Sequence, residues 1–163
     1  MDAVGYYSSI APSYDALYKE EQLDKIRSML SAVKPKKNWI VLDIGAGTGL
    51  LEENLKVRTV TAIEPSEMGE FLETKKLPGV KVEKVKISQF KSSKKFDAVF
   101  CITVLQDLDK NEREKCIKSA FEHCKRGGKV VISVLKQSNI DLSYLKPSLV
   151  YEVVNDVIYI FNR

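Results

Sequence analysis

Residues 41–49 read Val41-Leu42-Asp43-Ile44-Gly45-Ala46-Gly47-Thr48-Gly49, and this stretch decides the fold. An apolar run closes on an acid, then three glycines alternate with small residues before Leu50-Leu51 turn apolar again. The pattern predicts a buried strand, a tight loop poor in side chains, and a helix. α/β folds use that arrangement to bring backbone N–H groups close to a nucleotide-like ligand. Each glycine costs backbone entropy on folding, so three within five residues point to a conformational or ligand requirement.

The flanking sequence fits an α/β chain. Upstream, Leu23, Ile26, Leu30 and Val33 recur at helical spacing with Glu20, Glu21, Asp24, Lys25 and Arg27 between them. They predict a helix of about 15 residues ending at the Pro35 turn. Strand one, 39–44, has no polar alternation, so both its faces should be buried in a parallel sheet. Leu50, Leu51 and Leu55 predict a short helix. Strand two, 59–63, ends at Glu64, and a helix starting at Pro65-Ser66 buries Met68, Phe71 and Leu72. Strand three, 80–87, mixes valines with lysines and belongs near a sheet edge. Strand four is 96–102. Asn111 and Glu114 resemble a capping box for the next helix. That helix carries Ile117, Ala120, Phe121 and Cys124 and should stop at Gly127-Gly128. Strand five is 129–135, and 149–154 with 157–161 reads as an antiparallel hairpin turning at Asn155-Asp156. The chain is therefore one α/β domain, 1–163, of five β/α repeats closed by a hairpin, with residues 1–36 as an N-terminal helical lid segment.

The 163 residues suffice for one core and are too few for two ordinary domains. Apolar residues are 44% and charged residues 29%, a globular composition. No run approaches the ~20 apolar residues that span a bilayer. The N-terminus lacks a secretory pattern, so cytoplasmic location is expected. Three cysteines without CxxC spacing argue against disulfides and zinc, and no metal is expected. The net charge of +4 comes from lysines interleaved with acids and without an aromatic platform, so nucleic acid is not indicated as a partner.

Three ligands compete for the glycine loop. A P-loop needs Lys-Ser or Lys-Thr after its glycines, and none is present. The dinucleotide fingerprint GxGxxG needs a small residue where Leu50 stands. A ligand with an adenosine end and no phosphates fits better, because Glu64 at the end of strand two can accept two hydrogen bonds from a ribose diol. Tyr6, Tyr7, Tyr14 and Tyr18 precede the first strand. Their apolar rings and polar tips suit either a cover over the core edge or a lid over a ligand.

VLDIGAGTG resembles motif I of the class I S-adenosylmethionine-dependent methyltransferases. The likeness continues through Glu64-Pro65-Ser66-Glu67-Met68, FDAVFCITVLQDLD (96–109), KRGGKVVISVLK (125–136) and the N-terminal YYSSIAPSYDALY, nearly end to end. It implies a Rossmann-like, doubly wound sheet of seven strands, order 3-2-1-4-5-7-6, mostly parallel with an antiparallel C-terminal hairpin. It implies S-adenosylmethionine as cofactor and S-adenosylhomocysteine as product. By position, Asp43 would hold the cofactor's ammonium, and Gly45, Ala46, Gly47, Thr48 and Gly49 would let the methionine part lie on bare backbone. Glu64 would take the ribose hydroxyls, Pro65, Ser66 and Met68 would border the adenine, and Ile87 and Ser88 would touch its edge. Cys101 and Ile102 would line the sulfonium end, with Tyr7, Tyr14 or Tyr18 closing the site.

In one respect the chain departs from the family. An acid that often accepts the adenine amino group is replaced by Lys86, which has no acceptor. The catalytic residues are not fixed. Asp107, Gln106 and Asp15 are the substrate-facing candidates, whereas His123 belongs to a helix away from the strand ends. The Asn-Pro-Pro-Tyr motif used on exocyclic amines is absent, and no separate recognition domain is expected within the 163 residues. A small-molecule acceptor is expected, with the chain a monomer or homodimer. RNA, a protein, a non-catalytic scaffold role and aminopropyl transfer stay open as alternatives.

Overall fold

The computed structural model describes residues 2–163, except for the side chains of Pro12, Tyr14, Asp15 and Leu17. Two helices, α1 (Ala3–Ile10) and α2 (Tyr14–Val33), precede β1 (Ile40–Ile44). Next come α3 (Leu50–Asn54), β2 (Thr59–Ile63), α4 (Met68–Thr74), β3 (Val80–Glu83) and β4 (Phe96–Ile102). The chain ends with α5 (Lys110–His123), β5 (Cys124–Leu135), β6 (Leu149–Val153) and β7 (Asp156–Asn162). The strands form one sheet in the order β3-β2-β1-β4-β5-β7-β6. The first five in that order run parallel, and β7 pairs antiparallel with both β5 and β6. This is the expected Rossmann-like order with its antiparallel hairpin.

Continuous apolar runs in β1, β4 and β5 follow from having helices on both faces. Val41, Ala98, Phe100 and Val131 pack with Ile26, Met29 and Val33 of α2 and Leu50 and Leu51 of α3. Their neighbours Leu42, Val99, Cys101 and Ile132 pack on the other face with Cys116, Ile117 and Ala120 of α5. The order reverses between β1 and β4. In an open α/β sheet a ligand crevice forms there, outside the carboxyl ends of the strands.

Several local expectations are corrected. β3 stops at Glu83, and Ile87 lies in a separate 3-10 turn, Ile87–Gln89. α5 is capped by Asp109, whose side chain accepts from the Glu112 N–H at 2.8 Å, and not by Asn111. Such a cap contributes about 1 kcal/mol. The Gly127-Gly128 pair does not end a helix, because it lies within β5. A Cβ at Gly128 would sit 2.7 Å from the Asp97 carbonyl, so the close approach of β5 to β4 at their register shift is what requires glycine there. The terminal hairpin turns one residue earlier than expected, at Val154-Asn155. Asp156 is thereby drawn into β7, where it is wholly buried. Lys25, which reads as solvent-facing in the sequence, is wholly buried too.

Candidate active site

The loop after β1 is held in place by the end of β2. Gly45, Gly47 and Gly49 all have positive φ, at 77°, 57° and 89°, a region costly for residues with a Cβ. The Gly45 and Ala46 N–H groups both donate to the Ile63 carbonyl, at 2.8 and 3.0 Å. The Gly47 N–H donates to Glu64 Oε2 at 2.9 Å. Glu64 Oε1 accepts from the Ser66 N–H and hydroxyl, at 2.9 and 2.6 Å. Sequence reading gave the loop and Glu64 separate places around a ligand. In the fold they clasp each other, and Oε2, with one donor, keeps a lone pair for one more, whereas Oε1 already accepts two.

Asp43, Gly45, Ala46, Gly47, Thr48, Glu64, Pro65, Met68 and Ile102 line one open cleft at the strand ends. Its space, counting the mouth, is about 890 Å³, within the usual span of small-ligand sites. Ala3, Val4 and Tyr7 of α1 also line it, so the N-terminal helix lies along the mouth. Tyr7 donates its hydroxyl to Asp107 Oδ2 at 2.8 Å, and Ser8 Oγ accepts from the Glu67 N–H at 3.1 Å. Those two bonds fasten α1 to both banks of the cleft.

An adjoining cleft holds Lys86, Ile87 and Ser88 together with Pro65, Val104 and Leu108. Other expected residues fall elsewhere. Gly49 caps α3, and a Cβ on it would meet Leu72 Cδ1 at 2.2 Å, so it serves helix packing rather than the cleft. Ser66 is buried beneath Glu64. Cys101 is fully buried on the α5 face with its sulfur 3.8 Å from that of Cys116, away from the cleft wall. His123 bonds to Ser119 and packs on Phe90, far from the strand ends. The side chains of Tyr14 and Asp15 lie outside the described residues.

Two polar clusters flank the cleft that sequence reading missed. Asp43 and Glu52 face each other, 2% and 5% exposed, and Asp43 Oδ1 and both Glu52 oxygens have no hydrogen-bond donor among the described residues. Two carboxylates only accept, so a shared proton is what can join them. Burial, then the facing Glu52 carboxyl, push Asp43 well above the ordinary carboxylate range. Burial likewise pushes Glu52 up to about 7. The second cluster centres on Thr103, which follows β4 with a φ of 56° and lines the cleft. Its hydroxyl accepts from Lys25 Nζ at 2.7 Å and donates to Asp156 Oδ2 at 2.9 Å. Lys25 Nζ also lies 2.9 Å from Asp156 Oδ1. A positive φ on a β-branched residue is the signal of strain at a functional edge, and no local sequence pattern announces it.

A sequence family described as a methyltransferase domain matches residues 14–162. The chain belongs to that methyltransferase family. An uncharacterized methyltransferase of Anoxybacillus flavithermus (strain DSM 21510 / WK1) is 30% identical over 130 residues, which cover 78% of this chain. The aligned part spans 61% of that relative's length. Among solved structures, the DhpI-SAM-HEP complex superposes with a TM-score of 0.70 at 20% identity, covering 97% of this chain and 80% of that one. Magnesium protoporphyrin IX methyltransferase (ChlM) from Synechocystis PCC 6803, with bound SAM, also gives 0.70, at 17% identity, covering 88% and 79%. At those identities the likeness is one of fold.

The methyltransferase fold has a cleft here whose residues fit S-adenosylmethionine. A buried carboxyl at Asp43 whose Oδ1 has no donor among the described residues suits an ammonium. The bare backbone at Gly45 leaves no room for a side chain, since a Cβ there would meet Val104 Cγ2 at 2.3 Å. Glu64 retains acceptor capacity beside that backbone, and Met68, Pro65 and Ile102 supply apolar walls.

Proposed function

We propose that the chain is an S-adenosylmethionine-dependent methyltransferase acting on a small molecule. The observation that carries this reading is the buried Asp43 carboxyl, whose Oδ1 has no donor among the described residues, at the foot of a glycine loop clasped by Glu64. When bound, S-adenosylmethionine supplies a methyl already activated on a sulfonium. The protein's part is to bind, align and exclude water.

Asp43 receives the ammonium end, and Glu64, fixed by Gly47 and Ser66, receives the ribose hydroxyls. Pro65, Ile87 and Ser88 flank the base, with Lys86 beside them in place of an acceptor. α1, fastened by Tyr7 and Ser8, keeps water from the reacting end. Asp107 and Gln106 face the mouth and orient the acceptor, and the alkyl wall is Ile102 rather than Cys101. ChlM, a neighbour in fold alone, is named for a small-molecule substrate.

Calorimetry with S-adenosylmethionine and S-adenosylhomocysteine tests the cofactor. Binding of both at micromolar concentration is expected, and no binding of either at millimolar concentration would overturn the reading. Transfer of labelled methyl in fractionated extract tests the acceptor. Label should enter the low-mass fraction, while label confined to RNA or protein would replace the small-molecule assignment. Binding with no transfer into any fraction would leave a cofactor-binding scaffold.

A further inference from the structure

Beyond Tyr7 and Thr103 the cofactor cleft opens into a polar cavity that neither the glycine loop nor Glu64 touches. It is walled by Tyr6, Tyr7 and Tyr18 on one side and by Gln106, Asp107 and Asn155 on the other, with Glu21 at its rim. Tyr7, Gln22, Thr103 and Asp107 line both spaces, so a molecule filling this cavity presents an atom directly to the cofactor cleft.

The chemistry of the wall has one sign. The Tyr6 and Tyr7 rings meet edge to face with centroids 5.3 Å apart, and the Tyr18 hydroxyl beside Tyr6 raises the Tyr6 phenol above its usual range. Asp107 Oδ2 accepts from Tyr7 and, at 3.3 Å, from Gln106, leaving Oδ1 without a donor among the described residues. The cation in the lining, Lys136, is bound to Glu152 at 2.8 Å. Aromatic faces together with an unsaturated carboxylate attract an ammonium and repel a carboxylate. An acceptor of opposite sign would need a free cation here, and the lining supplies none among its described residues.

We propose that this tyrosine-walled cavity takes an amine, so that the chain methylates nitrogen; the inference rests on the methyltransferase reading above. The amine arrives in equilibrium with its ammonium, which Asp107 Oδ1 and the tyrosine faces hold at the junction of the two spaces. Attack requires the neutral amine. Its lone pair forms the nitrogen–carbon bond as the carbon–sulfur bond breaks, the electron pair stays on sulfur, and the methylated ammonium loses its proton through Asp107 to water. Tyr7, by donating to Asp107, fixes the carboxylate at that junction.

The test is calorimetry on the whole chain saturated with S-adenosylhomocysteine, using matched sets on two skeletons. One is phenethylamine, 2-phenylethanol and 3-phenylpropionate; the other is glucosamine, glucose and glucuronate. In at least one set the amine should bind about tenfold or more tightly than the alcohol, with the carboxylate weakest. Asp107→Asn should cut that preference to within about threefold, and Glu21→Gln, outside the cofactor cleft, should reduce it less. Melting temperatures of both variants check that they fold. Equal binding of amine and alcohol in both sets, tighter binding of a carboxylate, or a preference that survives Asp107→Asn overturns the proposal. Failure to bind S-adenosylhomocysteine at all is a different result and overturns the methyltransferase reading instead.

Discussion

Lys25 and Asp156 lie wholly inside the protein with opposite charges 2.9 Å apart, while Asp43 and Glu52 lie almost as deep with charges of the same sign. The first cluster balances its charges, although Asp156 Oδ1 meets Lys25 as an ion pair without a well-directed hydrogen bond. Thr103 bonds to both Lys25 and Asp156, and the Thr103 N–H donates to Ser133 Oγ at 2.9 Å. It joins α2, the end of β4, β5 and β7 at one point. The second cluster has three oxygens with no donor among the described residues, so a proton is what can join its two carboxyls. A buried group without partners is costly unless something arrives to satisfy it. The contrast separates a cluster that holds the site together from one that is set to receive a cation.

Removing one member of the charge-balanced cluster should have the largest effect. Lys25→Met strands Asp156 as an uncompensated buried charge, and stability should fall by about 3–5 kcal/mol in a urea titration. A loss below about 1 kcal/mol would show that the pair is not the tie between α2 and β7.

The same-sign cluster should behave in the opposite sense. Glu52 is an acid whose folded pKa, about 7, lies above its ordinary 4.5. Ionisation adds no penalty below about pH 4.5; the penalty grows as pH rises from 4.5 to about 7 and is constant above that. The cofactor-free protein should therefore lose up to about 3 kcal/mol across that window relative to Glu52→Gln. Parallel stability–pH curves for the two proteins would remove Glu52 from the pair. Binding of the cofactor should also release protons, seen as a heat that depends on the buffer's ionisation enthalpy.

Glu64 is a third case, a buried carboxylate satisfied by neutral donors. Glu64→Ala should weaken S-adenosylhomocysteine binding about tenfold or more, because the loop and the ribose lose one acceptor together. Unchanged affinity would leave Glu64 as a clasp for the loop alone. The smallest effect belongs to Ser133→Ala, which takes one acceptor from the Thr103 N–H and should cost about 1 kcal/mol in thermal unfolding.

The strand at 96–102 was legible residue by residue, because a strand covered on both faces writes its burial into nearly consecutive apolar positions. The glycine loop and Glu64 were legible for a related reason: positive φ and close approach select residue type locally. Lys25 was not. Its place between Asp24 and Ile26 looks like the polar side of a helix, and its burial depends on Asp156, which arrives with the last strand. Glu52 reads as an ordinary acid of a short helix until α3 turns it against Asp43. Cys101 was expected at the cleft, but the alternation of β4 points it to the α5 face. The Gly127-Gly128 pair read as a helix stop because the carbonyl it must pass belongs to another strand.

By itself the sequence determined the α/β repeat, the strand–glycine loop–helix unit and the acid that meets it. These rest on hydrophobic period and backbone conformation, which are properties of neighbouring residues. Only the tertiary structure decided which charges are buried, which of them have partners, and that tyrosines near the N-terminus meet Asp107 across about a hundred positions. Desolvation and pairing depend on what the rest of the chain places against a group, and no local stretch carries that information.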